Sequence, residues 1–174
     1  MRYVALIAVV ACGGSDDMHV TTTFTITEQG GVGPSSLDVL TGQTVTLELD
    51  MTDVTHGYGE STGCRSTSIG KGDPTRAGTP EVMQTQVLDM LPTWIVTLEL
   101  CDVAERSSMV IDSVIDPLNF TVGCLTLPTS AIVYDGNHPK LTSFVGTECS
   151  ATILDVVFNR YLMAHDFAVE FAAN

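Results

Sequence analysis

The feature that most constrains the fold of this 174-residue chain is an alternation of apolar and polar residues with a period of two. Over residues 18–27, Met18, Val20 and Phe24 belong to one set of alternate positions, and threonines fill most of the other set. The same pattern returns over residues 44–51. Successive side chains of a strand point to opposite faces, so this period predicts β-strands with one buried face.

The remaining apolar segments extend the same prediction along the chain. Eight of them, rich in Val, Ile, Leu and Thr, are predicted strands: residues 82–90, 93–101, 108–115, 119–127, 131–134, 141–145, 151–158 and 167–171. Thr41-Gly42 and Asp135-Gly136 predict tight turns. Helical periodicity is scarce, apart from one helical turn predicted over residues 160–166. We therefore expect an all-β fold, an antiparallel β-sandwich.

The N-terminus has the features of an export signal. Arg2 precedes an uncharged apolar run over residues 3–11, which is shorter than the roughly 20 residues that span a bilayer. The segment Val9-Val10-Ala11-Cys12 resembles the lipobox of bacterial lipoproteins. The resemblance implies a signal peptide over residues 1–11, acylation of Cys12, a flexible lipidated tether over 12–17 and one domain over 18–174. The alternative is that residues 3–11 form a buried first strand and that Cys12 is a core cysteine.

The same resemblance gives an expected location. Gly13 follows Cys12 at the position where lipoproteins kept at the inner membrane often carry Asp. It therefore implies the outer membrane or the cell surface, with the acyl chains of Cys12 holding the protein on the bilayer.

Charge narrows the classes of partner. Lys and Arg number 7 against 21 Asp and Glu, a formal net charge of −14. Nucleic acids and anionic lipids attract clustered Lys and Arg, so this balance argues against both. An acidic solvated surface is one interpretation, and calcium bound by scattered carboxylates is the other. The candidates for calcium are Asp50, Asp53, Glu60 and Asp135.

Four cysteines remain after Cys12: Cys64, Cys101, Cys124 and Cys149. An even number in an exported protein predicts two disulfides, and no C-x-x-C spacing points to zinc or redox chemistry. Three connectivities are open. The pairing Cys64–Cys101 with Cys124–Cys149 is favoured because the shortest loops close at the least entropic cost.

The longest predicted irregular stretch, residues 56–80, is the candidate binding surface. It carries His56, Tyr58, Glu60 and Arg65, which predict contact with a protein or glycan partner. An ordinary solvated loop is the alternative.

Two motifs suggest other chemistry. Residues 36–59 resemble the front half of cupredoxins, with His56 in the place of the first copper ligand, and this implies a cupredoxin-like or immunoglobulin-like sandwich. The late Cys-His-Met ligand set is not reproduced, because Met163 and His165 follow Cys149 at the wrong spacing and in the wrong order. Residues 59–63 match G-x-S-x-G, which makes Ser61 a candidate nucleophile of a small hydrolase.

Taken together, the residues predict an exported, lipid-anchored envelope protein that acts as a non-enzymatic binding or envelope-assembly module without a cofactor. A copper-binding electron-transfer protein and a serine hydrolase are the alternatives.

Overall fold

The computed structural model describes residues 18–61, 64–75, 78–83, 94–101, 106–115, 117–135 and 138–173. Within these residues the chain is almost entirely β. The strands are β1 (Met18–Thr25), β2 (Glu28–Gly31), β3 (Thr44–Ser61), β4 (Cys64–Thr75), β5 (Trp94–Cys101), β6 (Arg106–Ile115), β7 (Leu118–Thr126), β8 (Ile132–Asp135), β9 (His138–Leu141), β10 (Phe144–Asp155) and β11 (Arg160–Ala173). The short helices are α1 (Glu81–Met83) and two 3₁₀ helices, Ser36–Leu40 and Thr129–Ala131.

Nine strands form a single, strongly curled antiparallel sheet, in the order β1-β3-β4-β5-β6-β7-β10-β11-β2. β1 pairs with β3 along its whole length and also with β11, through Met18 to Thr22. The order of paired strands therefore returns to β1 after eight strands. β8 and β9 form a separate two-stranded ribbon.

The antiparallel all-β class is thus confirmed, while a sandwich of two facing sheets is not shown. A curled sheet buries its one apolar face inside itself, and about eight strands enclose a space that side chains can fill. The alternation that predicts strands is equally compatible with a sandwich and with a curled sheet, because each fold requires only one buried face per strand.

The core lies on the inner face of the curled sheet. Trp94 and Phe120 pack edge to face with ring centroids 4.7 Å apart, and Phe24 stacks on Phe167 at 5.0 Å. Trp94 is fully buried at the start of β5. At one end of the sheet the 3₁₀ helix Ser36–Leu40 and α1 pack together and bury further apolar side chains.

An irregularity in β10 and β11 resets the alternation of both strands. The β10–β11 register shifts between Gly146 and Ser150, where Thr147 and Glu148 are both exposed. Glu148 adopts φ 55° and Asp166 on β11 adopts φ 60°. A bulge of this kind inserts a residue and bends the strand. The helical turn predicted over residues 160–166 is wrong, because these residues lie on β11, where buried Leu162 and Ala164 alternate with more exposed neighbours up to the bulge at Asp166.

Three other predictions of local structure are corrected. The stretch 56–80 is not an irregular loop, because the end of β3 and the whole of β4 pair along it. The Gly, Ser and Thr residues of this stretch predict a loop. It forms a strand instead because neighbouring strands pair with its backbone groups on both sides. Residues 81–83 are helical and not the start of a strand, and the rest of the segment 82–90 lies outside the described residues. The predicted strand 151–158 ends at Asp155 and turns.

The tight turn predicted at Thr41-Gly42 is confirmed. Thr41 and Gly42 form a turn, with Gly42 at φ 83°. In the β8–β9 register Asp135 is opposite His138, and Gly136 of the predicted Asp135-Gly136 turn lies outside the described residues. Among the described residues, no helix has the length and apolar character needed to cross a membrane.

Candidate functional site

The four predicted binding residues lie on the β3–β4 hairpin. In the backbone register His56 is opposite Ile69, Tyr58 is opposite Thr67, and Glu60 is opposite Arg65. His56, Tyr58 and Glu60 therefore occupy alternate positions in the backbone of β3. Their side chains, with those of Asp53 and Asp135, lie outside the described part of the structure.

Ser61 does not have the surroundings of a hydrolase nucleophile. The G-x-S-x-G motif works by placing serine on a sharp turn from a strand into a helix. Ser61 is instead the last residue of β3, opposite Cys64, the first residue of β4. In the described residues on either side of 62–63, the motif is thus followed by a strand and not by the helix that the hydrolase motif requires.

The cysteines are aligned across neighbouring strands. Cys124 on β7 and Cys149 on β10 are opposite each other and form a disulfide with both residues buried. This bond confirms one of the two favoured pairs. Cys64 and Cys101 are opposite each other on β4 and β5, and their bonding stays a prediction because their side chains lie outside the described part.

The disulfide also bears on copper. A blue-copper site needs a thiolate ligand, and Cys149 sulfur is bonded to Cys124 instead. His165 lies on the outer face of β11, where its Nε2 is 3.7 Å from a Glu28 carboxylate oxygen. Asp50, one of the calcium candidates, accepts a hydrogen bond at Oδ1 from His19 Nδ1 at 2.6 Å. Across the residues that the structure describes, no three His, Cys, Asp or Glu side chains gather as a metal site.

The surface of the described residues includes a cluster of exposed apolar side chains at one end of the sheet. We call it the apolar tip and define it as Val32, Val156, Val157 and Phe158. Their exposed fractions are 86%, 52%, 66% and 50%. Val114 on β6, 70% exposed, and Tyr161 on β11, 39% exposed, flank the tip. Exposed apolar patches of this kind mark surfaces where proteins bind partners.

Backbone hydrogen bonds bring the tip residues together from two segments. Val32 N donates to Asn159 O and Gly33 N donates to Phe158 O, each at 3.2 Å. Val156 N donates to Pro117 O at 2.8 Å, which ties the β10–β11 turn to the β6–β7 turn. The tip is therefore part of the hydrogen-bonded fold.

Below the tip lies a polar network that we call the support, made of Ser35, Asp38, Asp155 and Arg160. Ser35 Oγ donates to Asp155 Oδ2 at 2.9 Å, and Asp155 Oδ1 accepts from Phe158 N at 3.2 Å. Asp155 is only 5% exposed, so these hydrogen bonds satisfy a buried carboxylate. The bond to Phe158 N fixes the turn that carries three of the tip residues.

The rest of the support joins the 3₁₀ helix to β11. Ser35 Oγ accepts from Leu37 N at 3.2 Å and so caps the helix Ser36–Leu40. Arg160 Nε donates to Asp38 Oδ1 at 2.7 Å, and its Nη1 donates to Gly31 O at 3.4 Å. The hydrogen bond from Arg160 lowers the pKa of the Asp38 carboxyl below its ordinary value, against the opposing effect of burial.

Two glycines allow β2 to approach β11 this closely. A Cβ atom on Gly31, whose φ is 107°, would collide with Asn159 O. A Cβ on Gly30 would occupy the position of the Tyr161 ring, which lies directly against that glycine. Glycine is the residue that permits such contacts and such a φ.

The tip and the N-terminal end of the described chain lie at opposite ends of the sheet. β11 starts at Arg160, beside the tip, and runs antiparallel to β1 until Ala173 is opposite Met18. Its 14 residues correspond to about 45 Å of strand. The apolar tip and Met18 are therefore at opposite ends of β11.

The sequence-based prediction missed the tip because Val156, Val157 and Phe158 extend an apolar run that already reads as a strand. The signal that marks them is the loss of alternation. Three consecutive apolar residues followed by Asn159-Arg160 cannot all face inward from one strand.

Comparison of the chain with protein-family models, with curated proteins and with solved structures finds no match.

Proposed function

We propose that this chain is an exported, lipid-anchored binding module of the bacterial cell envelope, held to a membrane through acylated Cys12, which binds a partner through the apolar tip. The observation that carries the proposal is the gathering of exposed Val32, Val156, Val157 and Phe158 at the end of the sheet remote from Met18. A tethered module presents this end away from its anchor.

The support explains why the tip is suited to binding. Apolar side chains left in water lose the stabilisation that burial provides, roughly 25 cal/mol for each Å². Here they sit on a turn fixed by Asp155 and a 3₁₀ helix capped by Ser35, so a partner meets a surface that is already ordered. Preorganisation of this kind lowers the entropic cost of association.

The buried disulfide is weak support for the extracytoplasmic location, since such bonds persist mainly in oxidising compartments. Membrane attachment and the outer-membrane or cell-surface location depend on the lipobox resemblance at Cys12 alone.

Site-specific photo-crosslinking tests the proposal. Val157→p-benzoylphenylalanine is introduced into the full-length chain in its own cells, and Leu125→p-benzoylphenylalanine serves as the matched control. Leu125 is also 70% exposed but lies at the end of β7 away from the tip. We expect a discrete adduct from position 157 and none of that mass from position 125. Absence of an adduct at 157, or the same adduct at both positions, contradicts binding through the tip.

A further inference from the structure

We infer that the partner of the apolar tip is a protein whose binding surface has an apolar centre and a cationic rim. This inference rests on the proposed function, and it names the class of partner that the same site takes. Charge around the tip, the position of the tip, and its side chains each support it.

The charged side chains around the tip are mostly acidic. Glu28 on β2, Asp38 on the 3₁₀ helix, Glu81 on α1 and Asp155 at the end of β10 lie at this end of the fold, with Arg160 as the basic residue among the described side chains there. Arg160 is hydrogen-bonded to Asp38, so these two charges match each other, and Asp155 is buried, which leaves Glu28 and Glu81 as the exposed charges of this group. The end of the molecule that carries the tip therefore favours a cationic rim on whatever covers it.

The other arginines of the sheet are placed at the far end. β6 begins at Arg106 and ends at Ile115 near the tip, and Arg65 is the second residue of β4, one strand beyond β5. In the register Arg65 is opposite Leu100, and Leu100 is opposite Ser107. The register thus separates these two arginines from the tip by most of the length of their strands, while Lys71, opposite Ile95 on β5, lies nearer the tip end.

A second copy of this chain is a poor occupant of the tip. Each copy has a formal net charge of −14, and tip-to-tip association would bring two acidic ends together. Like charges at an interface oppose association and lower its rate.

A lipid surface is also a poor occupant. The segment between Cys12 and Met18 spans about 20 Å when fully extended, which is shorter than the roughly 45 Å of β11 between the two ends of the sheet. An anionic bilayer would further repel the acidic end that carries the tip.

The flanking aromatic residues suggest how a protein surface would fit. Phe158 is half exposed in the middle of the tip, and Tyr161 lies beside it with its ring against Gly30. Aromatic side chains contribute much of the energy at protein interfaces when a pocket on the partner covers them. A cationic rim around such a pocket would meet the exposed Glu28.

The test begins with the partner crosslinked at position 157, identified by mass spectrometry and purified. Its affinity for the full-length protein is measured at about 50 and 500 mM salt. We expect the higher salt to weaken binding by tenfold or more, since exposed charges are screened over shorter distances at higher ionic strength. We expect Val157→Asp to weaken binding at least tenfold and the control Leu125→Asp to change it less than twofold.

Other outcomes separate failure of this inference from failure of the proposed function. An adduct between two copies of this chain, supported by a dimer in sedimentation at micromolar concentration, overturns the partner class but keeps the tip as a binding surface. Binding of the acylated or unacylated protein to phosphatidylglycerol vesicles that Val157→Asp abolishes does the same in favour of lipid. A crosslinked protein whose affinity is independent of salt also overturns the cationic rim. Absence of a position-157 adduct contradicts the proposed function itself.

Discussion

At the scale of single residues, the fold depends on a few positions where an added Cβ atom would prevent the observed backbone contact. Gly31 is the clearest case. It has φ 107° and sits where a side chain would meet Asn159 O, at the junction between β2 and β11. Gly42 also has a positive φ, 83°, but has open space around it.

This pair of glycines gives a matched prediction. Gly31→Ala imposes both an unfavourable φ and a collision with backbone, so we expect it to lower the free energy of unfolding by about 2–4 kcal/mol. Gly42→Ala imposes the unfavourable φ alone and should cost about 1 kcal/mol. Urea unfolding followed by circular dichroism measures both. Equal losses for the two variants would contradict the close contact between Gly31 and Asn159.

The ion pair of the support predicts a pH dependence. Folding lowers the Asp38 pKa through Arg160, so the stability it adds is fully present above the ordinary carboxyl pKa of about 4 and is lost as the pH falls through the lowered value. We therefore expect Asp38→Asn to have a lower Tm than the wild type at pH 7, with the difference disappearing in acid. Glu170→Gln, on the exposed side of β11, controls for the loss of one negative charge. A difference that stays constant down to pH 2 would rule out this origin.

At the scale of elements, the period of two predicts those strands that have one clearly apolar face. The sequence predicts β1 and the first half of β3, up to Met51, almost residue by residue. In both strands the inner positions are mostly apolar and most of the outer ones are Thr, Glu or Asp. β4 is not predictable in this way, since Gly, Ser and Thr leave it without an apolar stripe and only its pairing with β3 and β5 makes it a strand.

The same reasoning explains the errors in the last two strands. The bulge at Glu148 and Asp166 moves the inward-facing positions of β10 and β11 by one residue. The sequence pattern alone does not distinguish such a shift from the end of a strand. The sequence-based prediction missed the tip for a related reason. Val156, Val157 and Phe158 have the composition of a strand, but their backbone forms a turn. The support depends on contacts between residues about 120 apart, such as Ser35 with Asp155, that no local pattern reveals.

The alignment of strands also sharpens the second disulfide. Residues directly opposite each other in an antiparallel pair have Cβ atoms about 4.5–5.5 Å apart on one face, close enough for a disulfide after small adjustment. Cys64 and Cys101 stand in this relation on β4 and β5, as the bonded Cys124 and Cys149 do on β7 and β10. We expect peptide mapping of the unreduced protein to find Cys64 linked to Cys101, with the Cys124–Cys149 peptide as an internal control. Free thiols at Cys64 and Cys101, or a bridge from Cys64 to Cys149, would contradict this pairing.

At the scale of the whole molecule, the proposed function requires two ends with different tasks: an anchor before Met18 and a binding surface at the tip. Within the described residues the curled sheet keeps the tip and Met18 apart, because β11 runs from Arg160 beside the tip to Ala173 opposite Met18. The tip and the anchor are therefore separable in experiment. A variant that loses the anchor should keep the tip, and a variant of the tip should keep the anchor.

Replacing the proposed lipidated residue tests the first half of this statement. Cys12→Ser removes the thiol that would carry the acyl chain, while Ser15→Ala alters the tether and leaves the lipobox-like segment intact. We expect wild type and Ser15→Ala to sediment with membranes and Cys12→Ser to appear in the soluble fraction, since acyl chains contribute about 0.8 kcal/mol for each buried methylene. Intact-mass measurement should show acyl groups on the first two proteins only. The soluble Cys12→Ser protein should keep its affinity for the purified partner within about twofold, because the tip lies at the other end of β11. If Cys12→Ser instead stays on the membrane, or loses its fold, the alternative that Cys12 is a core cysteine of the domain gains support and the anchor must be sought elsewhere.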